Sequence, residues 1–182
     1  GETLDDTYVV FDLETTGFSA IKDKIIEIGA VKVVGGEIVD KFSTFVNPGR
    51  PIPFDITQLT SITDEMVMEY DGIDTILPRF LEFVGDAVLV AHNASFDVGF
   101  IEQNCRYQDI EPHFVSLDTV ALARVLMPTL SKYKLNVVAK ALNISLENHH
   151  RAVDDAGATA EIFLKFVEML KGRGIDTLKG VN

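Results

Sequence analysis

Two β-forming runs separated by a pair of glycines constrain this chain more than any other feature. Lys24 to Val34 and Ile38 to Val46 are rich in Ile, Val, Thr and Phe. Gly35-Gly36 between them readily supplies the positive φ angles of a tight hairpin turn. A third run of the same character, Thr7 to Leu13, precedes the pair and gives way to a turn at Thr15-Thr16-Gly17. Three consecutive strands in hairpin order are therefore expected before any helix begins.

Beyond the breaker-rich loop at 47–53 the pattern changes. Apolar spacing is helical from Asp55 to Val84, with Thr63 or Asp64 as a cap and Pro78 as a kink or a helix start. Ala87 to Ala91 reads as a short buried strand, Ser95 to Tyr107 as a helix and Phe114 to Leu117 as another short strand. Helices follow over Thr119 to about Met127, where Pro128 stops the first, then over Leu135 to Leu142 and Val153 to Leu170. Strands in hairpin order followed by alternating helix and strand make a mixed sheet covered by helices. The expectation is one α/β domain over residues 7–171, with a disordered stub at 1–6 and a weakly structured tail at 172–182.

With 182 residues, 47% of them hydrophobic, the chain can bury a sizeable core. It holds no apolar run long enough for a membrane span and no secretory signal, and its single cysteine, Cys105, excludes an internal disulfide framework. A reducing cytoplasm is the expected location. The absence of an initiator Met points to a piece of something longer. The net charge of −12 argues against a protein that clamps long duplex nucleic acid through many phosphate contacts. It leaves room for a small cleft in which divalent cations reverse the local charge.

Three segments carry chemistry. In Phe11-Asp12-Leu13-Glu14-Thr15-Thr16-Gly17, strand alternation puts Asp12 and Glu14 on one face, side by side at the end of an apolar strand. Such a pair repels itself unless a cation is present, and Mg²⁺ or Mn²⁺ prefers these oxygen donors. An exposed strand end would tolerate the same acids. In Ala91-His92-Asn93-Ala94-Ser95-Phe96-Asp97, a buried strand empties into a polar turn, and Asp97 falls in the first turn of a helix. There an acid also suits the helix dipole, and Asn93 or Ser95 suits an N-cap. In His149-His150-Arg151-Ala152-Val153-Asp154-Asp155-Ala156, an imidazole near acids can take a proton from water at neutral pH. Helical spacing from His150 favours Asp154 as its partner; that preference vanishes if His150 precedes the helix.

Taken in order, Asp12-x-Glu14-Thr15-Thr16-Gly17, His92-Asn93-x-x-Phe96-Asp97 and His150-x-Ala152-x-x-Asp155 resemble the three motifs of the DnaQ-like (DEDDh) 3′→5′ exonuclease family. The resemblance runs from about Tyr8 to Leu170, and Leu59-Thr60-Ser61-Ile62-Thr63-Asp64 and Asp118-Thr119 agree with it. Within the family the sequence is most similar to proofreading exonucleases of bacterial DNA polymerase III, in the form embedded in PolC-type polymerases.

The resemblance implies an RNase H-like five-stranded mixed sheet with helices on both faces. It implies two divalent cations, Mg or Mn, held by Asp12, Glu14, Asp97 and Asp155, the family spacing selecting Asp155 over Asp154. His150 is then the general base, Glu14 a second catalytic group that orients the water, and the product a nucleoside 5′-monophosphate. Backbone groups around Thr15 and Thr16 are expected to hold the terminal sugar, and Phe18 and Phe96 to pack on bases, although each also suits the core, Phe96 more than Phe18. Asn93 shapes the pocket, while His92, His113 and His149 have no catalytic role. The implied partners are the single-stranded 3′ end of DNA and a polymerase module of the same or an associated chain. An exoribonuclease of the same family and an idle docking module are the rival readings.

Overall fold

A computed structural model describes residues 4, 6–146 and 151–177. The three hairpin-ordered strands form as β1 (Tyr8–Thr15), β2 (Ile25–Val34) and β3 (Glu37–Phe45), and Gly35 and Gly36 turn the β2–β3 corner at φ +60° and +83°. The rest of the described chain is α1 (Phe54–Thr60), α2 (Asp64–Val67), α3 (Ile73–Val84), β4 (Val88–Ala91), α4 (Ala94–Tyr107), β5 (Ser116–Asp118), α5 (Thr119–Leu126), α6 (Leu135–Ala141) and α7 (Ala152–Gly172). The strands form one sheet in the order β3-β2-β1-β4-β5, antiparallel on the β3-β2-β1 side and parallel from β1 outward to β5. Helices cover both faces, giving the RNase H-like arrangement that the motifs imply.

Strand alternation divides the core into two layers. Tyr8 and Val10 of β1, with Val31 and Val33 of β2, pack under α5, α6 and α7. Val9, Phe11 and Leu13, with Ile28 and Ala30, pack under α3 and α4. Asp12 and Glu14 continue the first set and so face α7, as do Glu27 and Gly29 across the ladder, where Glu14 pairs with Glu27 and Asp12 with Gly29. This parity fixes where the site is.

The segment expected to be helical from Asp55 to Val84 is three helices. Ser61, at φ +64°, ends α1; the Thr63 hydroxyl accepts the Met66 amide and caps α2; Gly72 precedes α3. Pro78 lies inside α3, past its first turn, and does not start it. The last strand falls two residues later than its apolar content suggested, because Phe114 packs its ring against the core before Ser116 meets Leu89 in the parallel ladder. Leu4, within the expected N-terminal stub, is buried in the α7-side core, and its amide donates to the Asp176 carbonyl at 3.1 Å. A disordered stub is therefore corrected at that residue. Among the described residues no helix is long and apolar enough to cross a membrane.

Candidate active site

The site forms where β1 outruns its parallel neighbour. The β1–β4 pairing ends at Val10↔Val90, so the edge of β1 beyond it is open to the chain that follows β4. Asp97, in the first turn of α4 and only 4% exposed, fills that gap, and its carboxylate accepts the Leu13 amide. The turn before α4 is held from β5. Asp118 accepts both the Asn93 amide (2.9 Å) and the Val120 amide (2.9 Å), so one side chain caps α5 and pins the β4–α4 turn.

Asn93 stands at the α4 N-cap position in the left-handed region, which asparagine tolerates, yet its side chain makes no capping bond and is solvent-exposed. Ser95 is also exposed. The His92 ring lies 2.6 Å from the Tyr133 carbonyl and 2.7 Å from the Thr119 hydroxyl. Burial lowers the His92 pKa, and the ring braces this turn against Tyr133 and Thr119. His113 is exposed.

From the opposite side comes α7. Asp155 is partly buried at its first turn, and its negative charge acts on Asp12, Glu14 and Glu27. Asp154 is exposed and instead accepts the Arg151 amide at 3.2 Å. His149 and His150 lie outside the described residues, immediately before Arg151.

Burial and mutual repulsion set the electrostatics. Burial pushes Asp12 well above the usual carboxylate range, and the charges of Asp97, Glu14, Asp155 and Glu27 push it further. Asp97 is raised well above its ordinary value by burial, with Glu14 and Asp118 adding to it against the Leu13 amide. Glu14 is raised to about 7 by burial, then by Glu27 and Asp155, with Arg151 opposing. Among the described residues no three His, Cys, Asp or Glu side chains are drawn closely enough together to hold an ion as placed; the acids meet through their charges. The donor set is carboxylate oxygen throughout, and repulsion of this kind is relieved by a hard, oxygen-preferring divalent cation. The residues present fit such an ion.

Around this cluster the loop from β1 to β2 is tightly bonded. The Thr16 amide donates to the Lys24 carbonyl (2.8 Å) and its hydroxyl accepts the Lys24 amide (2.9 Å), leaving Thr16 6% exposed. Both bonds hold Thr16 in the closed loop. The Thr15 hydroxyl donates to the Gly17 carbonyl. Phe18 projects from the loop, 91% exposed, with its ring edge-on to Phe96 at 6.3 Å. Phe96 in turn leans on Phe100 at 5.0 Å, so it is a partly buried base for Phe18 and belongs as much to the core as to the cleft.

Glu27 was missed in the sequence. An acid between Ile26 and Ile28 in a β run whose register points it inward was the available signal.

The family model described as "Exonuclease" (RNase_T) matches residues 9–163. The PolC-type DNA polymerase III of Clostridium perfringens is 60% identical over 182 residues, the whole of this chain but 13% of that protein. The PolC-type DNA polymerase III of Bacillus subtilis is 45% identical over 175 residues, 94% of this chain and 12% of that protein. The chain thus spans about an eighth of the length of these curated relatives. Among solved structures, exonuclease X in complex with 5′-overhanging duplex DNA superposes with a TM-score of 0.72 at 30% identity, covering 89% of this chain and 92% of that one. The nuclease domain of 3′hExo, a DEDDh family member bound to rAMP, shares the fold with a TM-score of 0.78 at 19% identity, over 93% and 95% of the two chains.

Proposed function

This chain belongs to the DnaQ-like RNase_T exonuclease family, a divalent-metal-dependent family, and from that membership we propose that it proofreads for a PolC-type DNA polymerase III. In this reading it removes nucleotides one at a time from the 3′ end of single-stranded DNA. The observation that carries the reading is the convergence of Asp12 and Glu14 from the one strand β1 with Asp97 and Asp155 from two helix starts, each raising the charge burden of its neighbours.

Those four acids would hold two cations, Mg or Mn, which when bound supply charge neutralisation for the in-line displacement at phosphorus. His150, next to the fixed Arg151, accepts the proton of the attacking water. Glu14, facing the same cleft, orients that water. The new bond joins the water oxygen to phosphorus, the bond to the 3′ oxygen breaks, and that oxygen takes a proton from solvent water to become the hydroxyl of the shortened strand, while His150 returns its proton to solvent. The departing product is a nucleoside 5′-monophosphate.

Phe18 stacks on a base without selecting among bases. Asn93 and the Thr15 backbone border the terminal sugar, with Thr16 holding the loop in shape. With a net charge of −12 the domain makes few phosphate contacts. Tethering to a polymerase module in the cytoplasm compensates, because it raises the local concentration of the 3′ end.

The test is a 5′-labelled single-stranded DNA incubated with Mn²⁺, with Mg²⁺ or with chelator. The expected result is a ladder shortening stepwise from the 3′ end, lost with chelator and in His150→Ala. Faster digestion of matched RNA would replace the proofreading reading with RNA trimming. No digestion of either strand by folded protein would leave a docking module.

A further inference from the structure

Glu27 sits on β2 directly opposite Glu14, 2% exposed, with the first turn of α7 above it. Three contacts join that turn to β2. The Glu27 carboxylate is 3.7 Å from the Arg151 guanidinium, and it also accepts the Ala152 amide. Arg151 in turn lies over the Phe45 ring at 4.8 Å, which holds its planar head between β2 and β3. Two residues along β2, Gly29 leaves the backbone of Ala152 and Val153 in direct contact with the sheet, where a Cβ would stand 2.0 Å from the Val153 nitrogen.

A buried acid is a poor choice for stability alone. Removing two charges from water costs more than a single ion pair commonly returns, and apolar residues of the same volume often serve as well. Here the pair is placed at the start of α7, the helix that brings Asp155 to Asp12 and Glu14. A helix N-terminus leaves its first amides without intrahelical partners, so a carboxylate fixed in the sheet can seat that end in both position and direction.

We propose that Glu27 is a positioning residue for the reaction: acting through Arg151 and the Ala152 amide, it docks the first turn of α7 so that Asp155 meets Asp12 and Glu14 in register. Glu27 touches neither substrate nor cation in this scheme. Its effect is on the rate of the chemical step and not on capture of the strand. The kinetic half of the inference rests on the exonuclease reading above; the docking half does not.

The test compares the 182-residue protein with Glu27→Gln, Arg151→Met and the double variant. Glutamine keeps the size and an acceptor for the amide while removing the charge. The expected result with Mn²⁺ and single-stranded DNA is kcat lowered at least about tenfold in Glu27→Gln with KM within about twofold. The double variant is expected to be no slower than Arg151→Met, because the two residues act as one unit. In parallel, amide hydrogen exchange by NMR should quicken about tenfold over residues 152–155 in Glu27→Gln and stay unchanged over 163–170. A kcat within twofold of the parent, multiplying losses in the double variant, or unchanged exchange at 152–155 would each overturn the proposal. Should the parent protein digest no strand at all, the exonuclease reading fails and exchange alone decides the docking. Should Glu27→Gln not fold, Arg151→Met carries both measurements.

Discussion

Gly29→Ala tests the packing on which the site depends. The added Cβ would stand 2.0 Å from the Val153 nitrogen, 2.2 Å from the Ala152 carbonyl carbon and 2.5 Å from the Val153 Cα. All three are backbone atoms at the start of a helix, so no side chain can swing aside. Restoring ordinary contact, roughly 3.5 Å, means moving that end of α7 by about 1.5 Å. Such a shift also loosens Ala152 and Ala156, both buried against the sheet. Overpacking typically costs about 1–3 kcal/mol, and a backbone obstacle places this case near 3 kcal/mol. For a chain of this size that lowers Tm by about 6–12 °C. The assay is calorimetric unfolding with chelator present, so that cation binding does not mask the change. Gly157→Ala is the internal control: it lies on the same helix, with nothing within 4 Å of the added Cβ. It should gain about 1 kcal/mol from helix propensity. A Tm for Gly29→Ala within about 2 °C of the parent would refute the claim that α7 rests directly on β2 at this point.

Three further outcomes are expected. Glu14, raised to about 7, holds its proton in the folded protein between its ordinary value of 4.5 and about 7, where the unfolded chain has lost it. Stability from this group is therefore fully present below about 4.5 and falls as pH rises through 7, so chelated protein should melt at a lower temperature at pH 8 than at pH 5. Glu14→Gln should flatten that slope; an unchanged slope would assign it to other groups. Asp155→Asn should abolish cation-dependent strand shortening, whereas Asp154→Asn should keep most activity and lose about 1 kcal/mol with its bond to the Arg151 amide. The opposite ranking in a digestion assay would exchange their roles. Phe18→Ala, at a 91% exposed position, should leave Tm unchanged while raising KM for single-stranded DNA about tenfold, the equivalent of one stacked base. An unaltered KM would remove Phe18 from the substrate path.

The order of strands, the Gly35-Gly36 turn and the pairing of Asp12 with Glu14 on one face were legible in the sequence, because each depends on residues close together in the chain. The period of two along a strand and the conformational freedom of glycine are local properties. Local pattern also misled in places. Phe114 and Val115 read as strand because they are apolar, although ladder pairing begins only where a partner strand is in reach, at Ser116. The helical spacing from Asp55 to Val84 concealed the Ser61 and Gly72 breaks, since apolar residues recur across all three helices although only α2, through Val67, and α3, through Ile76, Leu77, Phe80 and Val84, bury any of them.

What only the tertiary structure decided is which charges share a space. Asp154 and Asp155 are adjacent in sequence, and one faces solvent while the other bears on Asp12, a distinction set by how α7 docks on Gly29. Thr16 and Lys24 are eight residues apart, and their paired bonds, which close the loop, appear only in the folded chain. Glu27 and Arg151 lie more than a hundred residues apart, and no local rule couples them. Electrostatic energy depends on distance and on exclusion of water, and both are fixed only when separate elements pack together. The sequence by itself supplied the acids and the order in which they arrive; the packing of α7 and α4 against the two faces of one sheet made them a site.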